Sequence, residues 1–218
     1  MPTREKIAIG EYYHIYNRGV DKRQIMLDEE DAERFLDSLE YFNAREPIVS
    51  LREIVSREDK TKPDPLADII CYALNTNHFH LLLKEKSEGG ISEFMKRVGG
   101  GYTWYFNNKN KRSGSLFQGT FKSVHMESNE QLLHVSAYIN LNWKAHKFSG
   151  LTAGRARSSW DEYMGKSSRS LCNKKIILGQ FKSIGDYKNF AESSLREILR
   201  MKEQSKNDPE MLIGKYFF

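Results

Sequence analysis

"ADIICYALNTNHFHLLLKE" (residues 67–85) decides the fold. Two apolar runs, 67–74 and 78–85, flank Asn75-Thr76-Asn77. Asn and Thr form turns through local side-chain hydrogen bonds, so the stretch reads as a β-hairpin. Along a strand, alternate side chains share a face. Phe79, Leu81 and Leu83 therefore point into a core, while His78 and His80 project side by side from the other face. Two neutral imidazoles on a rigid element make half a site for a divalent metal. The chain has six histidines, so a His-x-His pair is a modest signal until a third ligand is found.

Working outward, "YYHIYNRG" (12–19) mixes β-branched and aromatic residues and ends in Arg-Gly, which predicts a first strand and turn. Residues 28–46 carry Phe35, Leu39 and Phe42 at helical spacing, with acids expected on the opposite, solvated face. Residues 56–65 are charged and contain proline, which predicts a loop. A helix begins at "GGISEFMKRV" (89–98) and is expected to run through "YTWYFN" (102–107). Gly99, Gly100 and Gly101 interrupt it, each costing about 1 kcal/mol in a helix interior, so a break or a close approach is expected there. "KNKRSGS" (109–115) predicts a turn, and "LFQGTFKSVHM" (116–126) a strand or hairpin arm.

Residues 128–148 open on Ser128 with Gln131 three positions on, the pattern of a capping box. Leu132, Val135, Ile139 and Trp143 recur at helical spacing and predict the buried stripe. Tyr138 and Asn142, one turn apart, are expected on its flank, at the margin between core and solvent. Asn142 offers an amide oxygen, a hard ligand suited to Mg2+ or Mn2+. Tyr138 offers a phenol that becomes a nucleophile when a metal activates its target. With eleven tyrosines in the chain, spacing alone does not single it out.

The charge balance is basic, with 34 Lys and Arg against 29 Asp and Glu. Between Lys96 and His125 there are six Lys or Arg and no acid, interleaved with Tyr102, Trp104, Tyr105, Phe106, Phe117 and Phe121. Basic residues neutralise phosphates and aromatic rings stack on unpaired bases, so this stretch points to nucleic acid. Two cysteines cannot make a disulfide framework and fit a reducing compartment. With no signal-like N-terminus and no membrane-length apolar run, a cytoplasmic protein is expected. The texture changes after Ser149. Residues 1–150 read as one catalytic unit and 151–218 as a helical C-terminal appendage, with its clearest helix over 187–203.

"NHFHLLL" (77–83), "SGSLFQGTFKS" (113–123) and "AYINLNWKAH" (137–146), in this order, resemble the single-tyrosine HUH transposases of the IS200-like class. The branch most similar is that of the REP-associated tyrosine transposases. "IMLDEEDAERFL" (25–36), "SSWDEYMG" (158–165) and "FKSIGDYKNFAES" (181–193) also fit that branch, and the resemblance covers roughly residues 8–195. It implies an α+β fold, a ferredoxin-like (RRM-like) antiparallel sheet with flanking helices. It further implies that His78, His80 and Asn142 hold Mg2+ or Mn2+ and that Tyr138 is the nucleophile. Single-stranded or hairpin DNA would be nicked and rejoined through a 5′-phosphotyrosine. Lys109, Lys111, Arg112 and Lys122 would contact the DNA backbone, together with Gln118, and the chain would act as a monomer or a homodimer. The chain departs from the family pattern twice. Trp143 stands where the family has proline, so the helix is expected to continue. The triple glycine stands where the family has a plain helix. Two other readings compete: a non-catalytic single-strand-binding module, in which the histidines are incidental, and a metal-dependent nuclease using water, which would not need Tyr138.

Overall fold

Strands β1 (Tyr12–Arg18), β2 (Ala67–Leu74), β3 (His78–Glu85), β4 (Lys122–His125) and β5 (Arg157–Ser158) form one sheet in the order β4-β1-β3-β2-β5. Every neighbouring pair is antiparallel. The structure is a computed structural model that describes residues 7–47, 64–145 and 157–205. The loop predicted over 56–65 lies outside the described residues except for 64 and 65. The loop-like stretch after Ser149 lies outside them up to 156. The predicted hairpin is present with its predicted bounds, and Asn75 N donates to His78 O (2.8 Å) to close it.

Four longer helices flank the sheet: α1 (Glu29–Tyr41), α2 (Gly90–Lys109), α3 (Asn129–Asn140) and α4 (Ile184–Ser205). One sheet face carries Ile15, Phe79 and Leu81 and is closed by α1 and α2. The Phe35 ring centroid lies 5.1 Å from that of Phe79 and 4.9 Å from that of Tyr102. The opposite face carries His14 and His80 and is covered by α3, whose outer side is in turn covered by α4. β3 therefore lies between two helical layers and is buried along nearly its whole length. The fold is α+β, as expected.

The capping chemistry is local and visible. Ser128 Oγ accepts from Gln131 N (3.1 Å), and Gln131 Oε1 accepts from Glu127 N (2.7 Å), so the predicted capping box starts α3. At α1, Asp28 Oδ1 accepts from Asp31 N (3.0 Å), while Asp31 Oδ2 accepts from Leu27 N (2.7 Å). Asp31 is thus buried, contrary to the expectation that the acids of this helix all face solvent.

Two further expectations are corrected. α2 runs unbroken through the triple glycine. A Cβ on Gly101 would collide with the ring of Phe42, whereas Gly99 and Gly100 have open space. The close approach exists at one glycine and the break does not. The helix over 128–148 is not continuous: α3 ends at Asn140, Leu141 caps it with its N–H still bonded to Ala137 O (3.0 Å) but with non-helical backbone angles, and Asn142–Ala145 form a separate turn. The cause is lateral. The carbonyl of Asn140 accepts from Ser158 Oγ (2.9 Å), and Lys144 N bonds back to Leu141 O (2.9 Å). No proline is needed to stop this helix. Trp143, expected in the buried stripe, is 40% exposed.

Candidate active site

A single cross-strand row builds the floor of the site. Lys122 pairs with Tyr16, Tyr16 with His80, His80 with Ala73, and Ala73 with Ser158. Directly paired residues share a face, so this row crosses all five strands on the α3 side. Arg18 pairs with His78 one step along. The rings of His78 and His80 are near-perpendicular, with centroids 5.0 Å apart.

Hydrogen bonds fix the orientation of both imidazoles. His78 Nδ1 lies 2.6 Å from Asn77 Oδ1. An amide oxygen only accepts, so Nδ1 carries the proton and Nε2 keeps its lone pair. That Nε2 accepts from Asn75 Nδ2 (2.8 Å). The same Nδ2 donates to Asn142 Oδ1 (2.6 Å). The lone pairs of His78 Nε2 and Asn142 Oδ1 thus converge on one point. His80 Nδ1 lies 2.9 Å from His14 Nε2, and the two rings stack at 5.1 Å. Burial drives the pKa of His14 down to about 3, so this imidazole is neutral at physiological pH. A neutral His14 can accept from the Nδ1–H of His80, which would leave the lone pair of His80 on Nε2.

Tyr138 reaches the same cluster from above. Its ring stands edge-on to His80 with centroids 5.7 Å apart. Tyr138 and Asn142 are 1% and 0% exposed, so they lie in the interior and not at the predicted margin. The reason is that Tyr138 faces the sheet, against His80, while α4 covers the outer side of α3. Tyr187 OH accepts from Asn140 Nδ2 (2.8 Å) and pairs with Ser136 Oγ (3.3 Å), and His134 Nδ1 pairs with Ser194 Oγ (2.7 Å).

The candidate donors are two imidazoles and an amide oxygen; the oxygen suits Mg2+ or Mn2+, and the imidazoles suit Mn2+ and the later divalent metals. Among the described residues, no group of three His, Cys, Asp or Glu is arranged to hold a metal. Three buried polar atoms of the cluster, His14 Nδ1, Asn75 Oδ1 and Asn142 Nδ2, have no hydrogen-bond partner among the described residues. Each such atom costs about 1–3 kcal/mol. Of the three, Asn75 Oδ1 is an acceptor that a cation can relieve, whereas Asn142 Nδ2 and, with Nε2 accepting, His14 Nδ1 are donors that need an acceptor. The acceptors His78 Nε2 and Asn142 Oδ1, turned to one point, are what fit a cation.

The basic segment is brought only in part to this site. Gln118 N bonds Arg18 O (2.9 Å) and Asn17 Nδ2 bonds Gly119 O (3.1 Å), so the "LFQG" turn docks on the end of β1 beside the partner of His78. Lys122 is exposed at the end of the floor row, its ammonium 5.6 Å from the Tyr16 ring. Lys111 is exposed on a left-handed turn residue. Lys109 instead binds Asp28 (2.8 Å), Glu30 (2.9 Å) and Asp31 (2.9 Å) at the start of α1. Arg112 braces its own turn through Asn107 Oδ1 (2.5 Å) and Ser115 O (3.1 Å).

The model of the family described as "Transposase IS200 like" matches residues 10–142. The chain belongs to the IS200-like transposase family. The matched segment begins before His14 and ends on Asn142, so it contains every member of the cluster. Transposases act on DNA, which sets the substrate class of the family. A solved structure described as the REP-associated tyrosine transposase bound to a REP hairpin is similar at 11% identity, over 78% of this chain and 89% of that one, with a TM-score of 0.48. The curated proteins contain no match. No helix among the described residues is long and apolar enough to cross a membrane.

Two members of the cluster, His14 and Asn75, are not among the site residues expected from sequence. The sequence gives no sign of the His14 partnership, which follows only from the β1–β3 register. Asn75 has the residue type of a turn former, yet its side chain points inward.

Proposed function

We propose that this chain is a divalent-cation-dependent transposase that cuts and rejoins single-stranded or hairpin DNA through Tyr138. His78, His80 and Asn142 would hold Mg2+ or Mn2+. The observation that carries this reading is the gathering of a phenol, two oriented imidazoles and an amide oxygen in one buried cluster. When bound, the cation polarises a DNA phosphate and offsets the charge that builds on it during displacement.

The chain's own residues supply the rest. Tyr138 Oη attacks the phosphorus in line, a P–Oη bond forms, and the bond from phosphorus to the 3′ oxygen breaks. The phenolic proton leaves to solvent, and the departing oxygen takes up a proton to become a 3′-hydroxyl. The product is a 5′-phosphotyrosine. One phosphodiester replaces another, so the reverse step rejoins strands without an external energy source. His14 and Asn77 hold the two imidazoles in the tautomers that present Nε2. The floor row leads outward to Lys122, with Gln118 beside it, and Lys111 lies on the same basic segment. These three side chains suit the path of a phosphate backbone. Lys109 and Arg112 would have to give up the protein partners they now hold. Since Tyr138 is covered in this conformation, a scissile phosphate reaches it only when the cluster opens.

A nicking assay tests this. Labelled single-stranded hairpin DNA from the region flanking the gene is incubated with protein and Mn2+, then resolved on a denaturing gel. The expected result is an SDS-stable adduct that requires the cation, Tyr138 and His78. Cleavage by Tyr138→Phe without an adduct would replace this reading with a nuclease using water. Tight binding without cleavage of any flanking hairpin would favour a binding module.

A further inference from the structure

We propose that Asn75 is a fourth ligand of the cation site, an amide that fills the site with its N–H in the absence of a cation and turns over to present Oδ1 when one enters. The inference rests on the cation reading given under Proposed function and concerns a residue outside that ligand set.

The geometry begins with the backbone. Asn75 N is bonded to His78 O (2.8 Å), so the Cα of Asn75 is fixed relative to the histidine strand. The side chain is fully buried. Its Nδ2 is 2.8 Å from His78 Nε2 and 2.6 Å from Asn142 Oδ1. Both of these atoms direct lone pairs at the same point. Only a hydrogen-bond donor or a cation is stable between them, and the amide N–H holds that place here.

A purely structural role accounts poorly for this arrangement. Asn75 Oδ1 and Asn142 Nδ2 are both buried without a partner among the described residues. A tie between the hairpin and the end of α3 that strands the Asn75 Oδ1 acceptor is costly, at about 1–3 kcal/mol, and that oxygen is the atom a cation would satisfy. An Asn that exchanges its two amide ends answers both states of the site. The terminal amide torsion is broad and roughly two-fold, so a half-turn is inexpensive. It withdraws the N–H from the two lone pairs and brings an oxygen in its place. An amide oxygen is a hard donor of the same kind as that of Asn142. No covalent bond changes: two hydrogen bonds are exchanged for coordination.

The test is Mn2+ binding to the full chain without DNA, followed by calorimetry and by the electron paramagnetic resonance of free Mn2+. Wild type is compared with Asn75→Leu, Asn75→Asp and Asn142→Ala, with melting curves for each. The expected result is that Asn75→Leu weakens Mn2+ binding at least about tenfold, the lower edge of what losing even an outer partner of a metal ligand costs. Asn75→Asp, which supplies a carboxylate at the same place, is expected to tighten it at least about tenfold. Binding by a folded Asn75→Leu that equals or exceeds wild type would overturn the proposal. If the leucine variant melts far below wild type, the aspartate variant decides, and unchanged or weaker binding overturns it. Loss of Mn2+ binding in Asn142→Ala with wild-type binding in Asn75→Leu overturns only the role of Asn75. A wild-type chain that takes up no Mn2+ overturns the cation reading as a whole.

Discussion

Tyr187→Phe removes one oxygen atom from α4 and is expected to weaken the chain where α3 ends. In the native structure the phenol OH accepts from Asn140 Nδ2 at 2.8 Å and pairs with Ser136 Oγ at 3.3 Å. Asn140 is fully buried, and its Oδ1 is already bonded to Ser159 Oγ at 2.6 Å. The Phe ring keeps the aromatic contacts with Tyr163 and Phe181. The change is therefore two lost hydrogen bonds, the one to Ser136 long, and one stranded buried donor on Asn140, worth about 1–3 kcal/mol. At roughly 2–4 °C per kcal/mol for a chain of this size, the melting temperature should fall by about 2–12 °C. Urea denaturation of wild type, Tyr187→Phe, Asn140→Ala and the double variant measures the effect. If Tyr187 acts through Asn140, the double variant costs less than the sum of the two singles by more than about 0.5 kcal/mol. A Tyr187→Phe chain as stable as wild type, or strict additivity, would refute the reasoning that α4 holds the end of α3 through this bond.

Burial keeps His14 neutral in the folded state, with its pKa lowered from 6.5 to about 3. Its contribution to stability is present above pH 6.5 and is lost as pH falls towards 3, because the unfolded chain takes up the proton first. Between pH 7 and pH 5 this loss is about 2 kcal/mol, and metal-free His14→Gln should lose that much less over the same interval by urea denaturation; parallel curves would contradict the assignment. Gly99→Ala and Gly100→Ala should each stabilise the chain by about 1 kcal/mol. Gly101→Ala should fall below them by about 1–3 kcal/mol, since its methyl meets the Phe42 ring, and equal stability for all three would show that the ring gives way freely. Lys122→Met should lower the salt dependence of single-stranded DNA binding by about 0.7 in the log–log slope. Lys109→Met should leave that slope alone and lower the melting temperature, and an unchanged slope for Lys122→Met would remove Lys122 from the DNA path.

The parts of this molecule that were readable from residues are those whose causes are local. Alternation and an Asn-Thr-Asn turn located β2 and β3 with their bounds, and the Ser128–Gln131 pair located the start of α3. The imidazole pair lies on a strand legible from alternation and Tyr138 on a helix legible at its centre, whereas Asn142 lies past the end of that helix. The roles expected of all four came from the family resemblance and not from spacing. What could not be read has distant causes. The end of α3 depends on Ser158, 18 residues beyond Asn140. The packing that demands a glycine at 101 comes from Phe42, on a different helix end. His14 meets His80 only through a register set between strands 66 residues apart. The interior position of Tyr138 reflects its facing the sheet, against His80, while α4 buries the other side of α3, and no periodicity within 128–148 contains that two-sided packing.

The backbone from residue 64 to residue 145 is described without a gap, and it carries His78, His80, Tyr138 and Asn142. Tyr138 and the imidazoles beside it therefore meet within one and the same chain. On the proposed mechanism this has a genetic consequence. A copy disabled at His80 and a copy disabled at Tyr138 would not repair each other on mixing, and activity restored in the mixture would show instead that the working site is shared between copies.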